Sequence, residues 1–546
     1  MSTGQDGTAV DLIAGRLARA GCRHAFGIPG GEVIHMMDAL QRAGIDFTLC
    51  KHENGGGFMA EGTHQATGAP GILLATIGPG LANGVNAIVN AHQDQVPLVV
   101  LTGCVDGAEA ATYTHQVFDH SQLLRPVVKD TVTVADGAVD VAVDKAVSLA
   151  LSDPMGPVHL DIPVSLANRA QPAPRRADSP LPGPVVPGPG PWLEAARAKL
   201  AAAQRPLLVA GMGALHHGAG AEILRVCETY SMPLITTYKA KGLIPETHPL
   251  CLGGHGLSPK SDALLLPLFA EADLILAVGY DPIEMRTGWR DPWDPDKVIE
   301  LAHCPPRHGM HGAALSTVCD GIAGLRVVTD GVAPAAQPWP CGRPAEVRAA
   351  LRAVFADSLV AEPDQPWGPR AAFAAARRGA PDTAVITADS GAHRILLSQM
   401  WDCPTPRTLL QSSALCTMGC ALPLAIGQKL AAPDVPVLAF MGDAGLEMIL
   451  GELATLRDLR LPVGVVVVVD ESLALIELKQ RRSGLGNLGV DFPPTDFVKL
   501  AEAMGGVGVL VKDAETMAAE CAALHDRETF TLLACQVPRK AYDGLI

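Results

Sequence analysis

Two neighbouring stretches of the chain decide the fold: residues 435–450 read VPVLAFMGDAGLEMIL, and residues 465–472 read VVVVVDES. Each contains an apolar run of the kind that forms a buried strand of a parallel sheet, and an acidic residue follows each run. Leucine and isoleucine recur between the runs at helical spacing, so the pattern predicts a strand–helix–strand unit. Because ligands of open α/β sheets bind beyond the carboxyl ends of the strands, Asp443 and Asp470 are expected to converge on one point.

Asp443 and Asp470 offer the hard oxygen ligands that Mg²⁺ prefers. Gly442, Ala444 and Gly445 surround Asp443 at a predicted helix start, where free backbone N–H groups suit a diphosphate. A Gly-Asp-Ala-Gly turn is also a common way to join a strand to a helix, with the Asp acting as a cap. These residues alone leave both interpretations open.

The composition is that of a large globular protein. The chain has 546 residues, of which 48% are hydrophobic and 18% charged, so several domains with sizeable cores are expected. A net charge of -15 argues against nucleic acid or an anionic membrane as a partner, and no apolar stretch is long enough for a membrane span. Thirteen scattered Cys without a CxxC pair predict reduced thiols and a cytoplasmic location.

Two Pro-rich stretches, 172–191 and 334–344, divide the chain. They predict three domains with the boundaries 1–170, 190–330 and 345–546. Short apolar runs alternate with amphipathic stretches in each domain, which favours an α/β protein of three doubly wound parallel-sheet domains.

The segment from Gly442 to Ser472 resembles the diphosphate and magnesium motif of thiamine-diphosphate (ThDP) enzymes, in which Gly-Asp-Gly precedes a later Asn-Asn pair. By this resemblance Asp443, Asp470 and the Ser472 carbonyl are the metal ligands, and Asp470 stands where the family has Asn. The extra charge of an Asp is expected to hold the metal at least as tightly, and the diphosphate is expected either to be held less tightly or to depend more on the metal. The three-part layout looks like the pyrimidine-binding, central and diphosphate-binding domains of the acetolactate-synthase-like family.

Glu53 begins a second motif of that family, in which a Glu, a helix and a strand are followed by Gly-Pro-Gly, here residues 78–80. The resemblance implies that the Glu53 carboxyl activates the aminopyrimidine of the cofactor through its N1′ atom. Taken alone, a Glu near a helix start is more often a partner of the helix dipole. Gln116 matches a Gln that acetolactate synthases place near the substrate, and His115 stands where they carry an apolar residue. An exposed loop is the alternative for both His115 and Gln116.

Glu32 ends the segment 27–32, which resembles a turn that lies against the thiazolium side of the cofactor. Glu32 and His35 replace apolar residues of acetolactate synthases and are expected either to alter the substrate pocket or to face solvent.

Two turns of the third domain also resemble cofactor contacts. Gly391 and His393 fall on a turn that contacts the diphosphate. The stretch 415–419 resembles Leu-Gly-Thr-Met-Gly, which implies that Met418 separates the two cofactor rings and that the Cys416 carbonyl accepts from the 4′-amino group. A lone Met is otherwise usually core filling.

The substrate side departs from acetolactate synthase. Lys479 stands where those enzymes have the Trp that shapes the acceptor pocket, and Val164 stands where they have Lys. Arg286 lies near the position of an Arg that holds the acceptor carboxylate, and its guanidinium suits a 2-oxo acid. In the central domain, Gly211-Met212-Gly213 is only a weak sign of a nucleotide crevice, so FAD is doubtful.

The resemblance implies a ThDP- and Mg²⁺-dependent transferase or lyase that decarboxylates a pyruvate-like 2-oxo acid and joins the acyl fragment to a carbonyl acceptor. It also implies a homo-oligomer, dimer or tetramer, because the family places its cofactor between two subunits. A 2-oxo acid decarboxylase or carbon–carbon lyase without ligation is one alternative, and a non-catalytic regulatory paralogue is another.

Overall fold

The structure is a computed structural model that describes residues 7–174, 178–355 and 367–546. Residues 1–6 and 356–366 of the predicted domains, and 175–177 of the first Pro-rich stretch, lie outside the described residues. The described chain forms three six-stranded sheets in which every strand pair is parallel. The prediction of three doubly wound parallel sheets is confirmed.

The strands of the first sheet are β1 (His24–Ile28), β2 (Asp46–Leu49), β3 (Gly71–Ala75), β4 (Leu98–Cys104), β5 (Thr131–Thr133) and β6 (Pro157–Pro163). Their spatial order is β2–β1–β3–β4–β6–β5. The chain leaves β1 and β3 in opposite directions, so a crevice opens beyond the carboxyl ends of these two strands. The helices are α1 (Ala9–Arg19), α2 (Ile34–Arg42), α3 (Glu53–Thr67), α4 (Pro79–Gln93), α5 (Gly107–Ala110), α6 (His120–Leu124), α7 (Val139–Leu151) and α8 (Val164–Ala167).

The central sheet consists of β7 (Pro206–Ala210), β8 (Leu234–Thr236), β9 (Cys251–Gly254), β10 (Leu274–Val278), β11 (Val298–Ala302) and β12 (Leu315–Val318). Its order is β12–β11–β10–β7–β8–β9, so its switch of direction lies between β7 and β10. Its helices are α9 (Pro191–Ala202), α10 (Met212–His216), α11 (Gly220–Tyr230), α12 (Pro259–Glu271) and α13 (Gly321–Thr329).

The third sheet contains β13 (Val385–Ala388), β14 (Leu409–Gln411), β15 (Val437–Gly442), β16 (Val463–Val469), β17 (Val507–Val511) and β18 (Thr531–Gln536). Its order, β14–β13–β15–β16–β18–β17, repeats that of the first sheet strand for strand. The helices of this part are α14 (Arg343–Phe355), α15 (Pro369–Gly379), α16 (Ala392–Met400), α17 (Ala421–Ala431), α18 (Asp443–Glu447), α19 (Glu452–Leu459), α20 (Ala474–Arg482), α21 (Phe497–Ala503) and α22 (Ala514–Ala523).

Short 3-10 turns complete the described secondary structure. They are Gly31–Val33, Tyr238–Ala240, Pro282–Glu284, Thr287–Trp289, Pro295–Lys297 and Leu524–Asp526. Within the described ranges, no helix combines the length and apolar character that a bilayer crossing requires. The domain boundaries stay predictions, and α14 of the third predicted domain packs against α12 and β9 of the central one.

β15 and β16 lie side by side in the middle of the third sheet, and all seven residues of β16 are buried. Helices on both faces of a parallel sheet favour continuous valine runs of this kind. The prediction of a single helix between the strands is wrong, since α18 ends at Glu447 and α19 begins at Glu452. At the start of α19, the Glu452 carboxylate accepts a hydrogen bond from the Lys51 N–H of the first domain at 2.8 Å.

α3 and α17 join the first and third domains through a close helix crossing. A Cβ atom on Gly62 of α3 would lie 2.3 Å from the Leu424 carbonyl oxygen, and one on Gly427 of α17 would lie 1.9 Å from that of Met59. Only glycine permits backbones to approach this closely. Because α3 starts at Glu53, this crossing also fixes where Glu53 lies relative to the third domain.

Candidate active site

A cavity of about 600 Å³ lies at the carboxyl end of the third sheet. Every residue that lines it in the described ranges belongs to the second or third sheet domain. Twelve sequence-predicted residues meet in this cavity: Arg286, Gly391, His393, Cys416, Met418, Gly442, Asp443, Ala444, Gly445, Asp470, Ser472 and Lys479.

The Asp443 carboxylate ties the ends of β15 and β16 together. Its Oδ2 accepts hydrogen bonds from the backbone N–H groups of Asp470, at 3.1 Å, and Glu471, at 2.7 Å. Its Oδ1 accepts from the Ala444 N–H at 2.8 Å. Burial raises the pKa of Asp443 although these hydrogen bonds oppose the shift.

Asp470 carries a second carboxylate into the same small region. Burial, and then the charge of Asp443, raise the pKa of Asp470 to about 7. The Ser472 N–H donates to Asp470 Oδ1 at 3.2 Å, and the Ser472 hydroxyl donates to Asp491 at 2.7 Å. Two buried carboxylates that oppose each other's ionisation favour a cation between them, which is the chemistry of a divalent metal site.

Ser390 Oγ and His393 Nε2 are two of the buried polar atoms of the cavity wall that have no partner among the described residues. Burial lowers the pKa of His393 to about 4, so the ring is neutral near pH 7. Gly391 between them adopts a φ of +153° at the start of the nine-residue helix α16. Buried polar groups normally find partners, so these atoms fit a polar ligand such as a diphosphate at a helix N-terminus.

The loop that carries Cys416 and Met418 is held from both sides. The Asp94 carboxylate of the first domain accepts from the Ser413 and Ala414 N–H groups, both at 2.9 Å. Cys416 has a left-handed φ of +54°, and its sulfur accepts from the Arg394 guanidinium at 3.1 Å. The loop that presents Met418 to the cavity is therefore fixed before any ligand binds.

Asp389 is a site residue that the sequence analysis missed. It follows β13 directly, and its carboxylate accepts from the N–H groups of Gly419 at 2.9 Å and Cys420 at 3.0 Å. Burial raises its pKa to about 6. A Cβ atom on Gly445 would lie 2.1 Å from Asp389 Oδ2, which requires glycine there. The signal that could have identified Asp389 is its place directly after the apolar run of β13, which repeats the pattern of Asp443 and Asp470.

Glu53 lies in a separate cluster at the carboxyl end of the first sheet. It is 3% exposed, and its Oε2 accepts from the Asn83 side-chain amide at 3.1 Å. Its other oxygen lies close to Gly80, where a Cβ atom would come within 3.2 Å. The carboxyl of Glu53 is therefore largely shielded from water.

Glu32 and Gln116 lie near the same strand ends. Glu32 Oε2 accepts from the Thr76 hydroxyl at 2.7 Å, which links the turns after β1 and β3. Gln116 has a φ of +61°, and its carbonyl packs against Gly78, where a Cβ atom would come within 2.3 Å. Its side chain is exposed, as are those of His35 and His115.

The two predicted substrate residues differ in their surroundings. Arg286 lies 3.8 Å from the Asp262 carboxylate, and Lys479 is exposed on α20. In the central domain, Gly213 packs against the His303 ring, whose Nε2 lies 2.9 Å from Gln95 Oε1. The turn that the sequence analysis considered for a nucleotide therefore packs against His303, which in turn contacts the first domain.

Three family models match the chain, all described as thiamine pyrophosphate (TPP) enzyme domains. The N-terminal TPP-binding domain matches residues 7–123, the central domain 193–326 and the C-terminal TPP-binding domain 389–535.

Curated relatives cover nearly all of the chain. An acetolactate synthase large subunit of Parasynechococcus marenigrum is 31% identical over 98% of this chain and 89% of the relative. The acetolactate synthase isozyme 1 large subunit of Escherichia coli is 31% identical over 88% of this chain and 84% of the relative. An acetolactate synthase of Bacillus subtilis is 28% identical over 93% of this chain and 89% of the relative.

Asp470→Asn is expected to raise the thermal unfolding midpoint of the metal-free, cofactor-free protein at about pH 8 and to leave it nearly unchanged at about pH 4. The folded-state pKa of about 7 exceeds the ordinary value of 3.8, so the folded protein retains a proton that the unfolded chain releases. Wild-type stability therefore falls as pH rises from about 3.8 to about 7, and the Asn substitution removes that loss. Thermal scans of both proteins in a chelating buffer measure the unfolding midpoints at the two pH values.

Asp491→Asn is the control of opposite sign, because hydrogen bonds from Ser472 and Asn487 lower the pKa of Asp491. It is expected to lose stability at the higher pH. The expectation would be contradicted if Asp470→Asn raised the unfolding midpoint no more at the higher pH than at the lower pH.

Proposed function

Because this chain belongs to the thiamine-diphosphate-dependent enzymes of the acetolactate synthase family, we propose that it decarboxylates a pyruvate-like 2-oxo acid and ligates the acyl fragment to a carbonyl acceptor. Mg²⁺ is the proposed metal, and a homodimer or homotetramer is the proposed assembly.

The observation that carries the proposal is the chemistry of the cavity in the third domain. Asp443 and Asp470 supply two carboxylates to one region, while Ser390 and His393 turn unpartnered polar atoms toward the same space. The anionic carboxylates suit a metal cation, and the neutral polar groups suit an anionic diphosphate. Together they fit a metal–diphosphate pair. Asp443, Asp470 and the Ser472 carbonyl would hold the metal.

ThDP supplies an electron sink that allows a 2-oxo acid to lose CO₂. In our proposal Glu53 holds and releases the proton that controls the tautomer of the aminopyrimidine, and Asn83 orients the Glu53 carboxyl through its 3.1 Å hydrogen bond. Met418 and the Cys416 carbonyl would hold and orient the cofactor rings from the cavity wall. Exclusion of water around Glu53 would strengthen a hydrogen bond between its carboxyl and the aminopyrimidine.

Glu53 belongs to the first domain, whereas the cavity walls come from the second and third domains. We therefore propose that Glu53, with Glu32 and Gln116, completes the site of another copy of the chain. His35 and His115 are exposed in the single chain, and we propose that they join the substrate pocket across that interface.

The acceptor is proposed to be anionic. Arg286 and Lys479 both line the cavity, and their nearby positive charges favour a carboxylate or another acidic group. Lys479 replaces an aromatic side chain at the equivalent place in acetolactate synthases, so an acceptor other than a second pyruvate is expected.

Incubation with single 2-oxo acids, and with each paired with aldehyde, ketone and acyl-thioester acceptors, is expected to give CO₂ and a ligated product, which is a hydroxyketone from an aldehyde or ketone and a diketone plus free thiol from a thioester. Mass spectrometry of the products measures both. Aldehyde alone from every pair would support decarboxylation without ligation, and the absence of CO₂ release from all of them would contradict the proposed reaction.

Glu53→Gln is expected to lower kcat by at least about a hundredfold while the Kd for ThDP changes little, because the proton switch is lost and the phosphate anchor is kept. Steady-state kinetics and calorimetry measure the two quantities.

Glu61→Gln is the matched control. Glu61 is a second buried Glu of α3, and it also accepts a hydrogen bond from an Asn of α4, at 2.9 Å. It is expected to retain turnover. Near-normal activity in Glu53→Gln, or equal losses in both variants, would rule out the assigned role of Glu53.

A further inference from the structure

The chain after β18 folds back over the end of β16 and buries a tyrosine that the proposed function does not use. The Val537 N–H donates to the Val469 carbonyl at 3.0 Å, which brings the following residues beside the strand end. Tyr542 in this segment is 3% exposed, and its hydroxyl has no hydrogen-bond partner among the described residues. A buried hydroxyl without a partner destabilises the folded protein, so its position requires an explanation.

The surroundings of the Tyr542 hydroxyl explain its position. Tyr542 lines the same cavity as Asp443 and Asp470. Burial and then the charges of Asp470, Cys535 and Asp443 raise the pKa of Tyr542 well above its ordinary value. The hydroxyl is therefore a neutral hydrogen-bond donor near pH 7, and no hydrogen bond to either carboxylate occupies it.

Neighbouring contacts hold the segment in place. The Arg481 guanidinium donates to both carboxylate oxygens of Asp543, at 2.8 and 2.6 Å, and Arg482 donates to the Ile546 carbonyl at 3.2 Å. Both arginines belong to α20, which also forms a wall of the cavity. Because these contacts hold the segment, the Tyr542 hydroxyl keeps its position without a hydrogen bond of its own.

We propose that the Tyr542 hydroxyl donates a hydrogen bond to an anionic oxygen at the diphosphate–metal end of the bound cofactor. This inference rests on the proposed function, since it concerns the same cavity. It also accounts for the charge of Asp470, which adds a negative group where the family has a neutral amide. A neutral donor beside the diphosphate offsets the added repulsion without a further charge.

Tyr542→Phe removes only the hydroxyl and keeps the ring. In the cofactor-free protein the thermal midpoint is expected to stay the same or to rise, because an unpaired buried group is removed. With saturating Mg²⁺, the Kd for ThDP measured by calorimetry is expected to rise about tenfold, as for a lost hydrogen bond to a charged group. The thermal shift produced by inorganic diphosphate with Mg²⁺ is expected to shrink as well.

Tyr280→Phe is the matched control, since the Tyr280 hydroxyl is also buried and has no partner within the described ranges, but it lies in the central domain beside Trp293. It is expected to leave the Kd for ThDP unchanged. Equal ThDP affinity in Tyr542→Phe and wild type would overturn this inference alone. Wild-type protein that binds no ThDP would instead overturn the proposed function. A lower cofactor-free midpoint with unchanged affinity would assign Tyr542 a structural role and also overturn the inference.

Discussion

The hydrogen bonds from the N–H groups of Asp470 and Glu471 to the Asp443 carboxylate are the interaction on which the rest of the site depends. They lock together the ends of two adjacent strands in the middle of the third sheet, and they direct the chain from β16 into the cavity wall. Burial works against this arrangement by raising the pKa of both acids. A cation would relieve that opposition, so the strand ends and the proposed metal depend on each other.

The position of Asp443 and Asp470 at the strand ends was predictable, because it follows from the apolar runs that directly precede them. The valine run of β16 and the apolar run of β15 are buried on both faces, and each acid follows its strand without a gap. Asp389 was missed although the same rule applies to β13. The break between α18 and α19 gave no signal in the local apolar pattern, and Glu452 at the start of α19 contacts Lys51, some four hundred residues away. Tyr542 gave no signal in sequence, since its place depends on a late segment folding back.

The repeated strand order of the first and third sheets explains why the site is divided. Each sheet presents its functional residues beyond the switch between its first and third strands: Glu32 and the turn before α4 in one, Asp389 and Asp443 in the other. The crossing of α3 and α17 holds the two sheets with little room for movement, because Gly62 and Gly427 already touch backbone. Among the described residues that line the cavity, Glu53 of the same chain is absent, which is the basis for proposing a site shared between copies.

Mixing Glu53→Gln chains with Asp443→Ala chains tests the shared site most directly. Each variant alone is expected to be inactive, while half of randomly formed dimers are mixed and keep one intact site of two, which restores about a quarter of wild-type activity. Differently tagged chains verify that mixed dimers form. No recovery of activity in verified mixed dimers would contradict the account, because it would mean that Glu53 and Asp443 serve the same site within one chain.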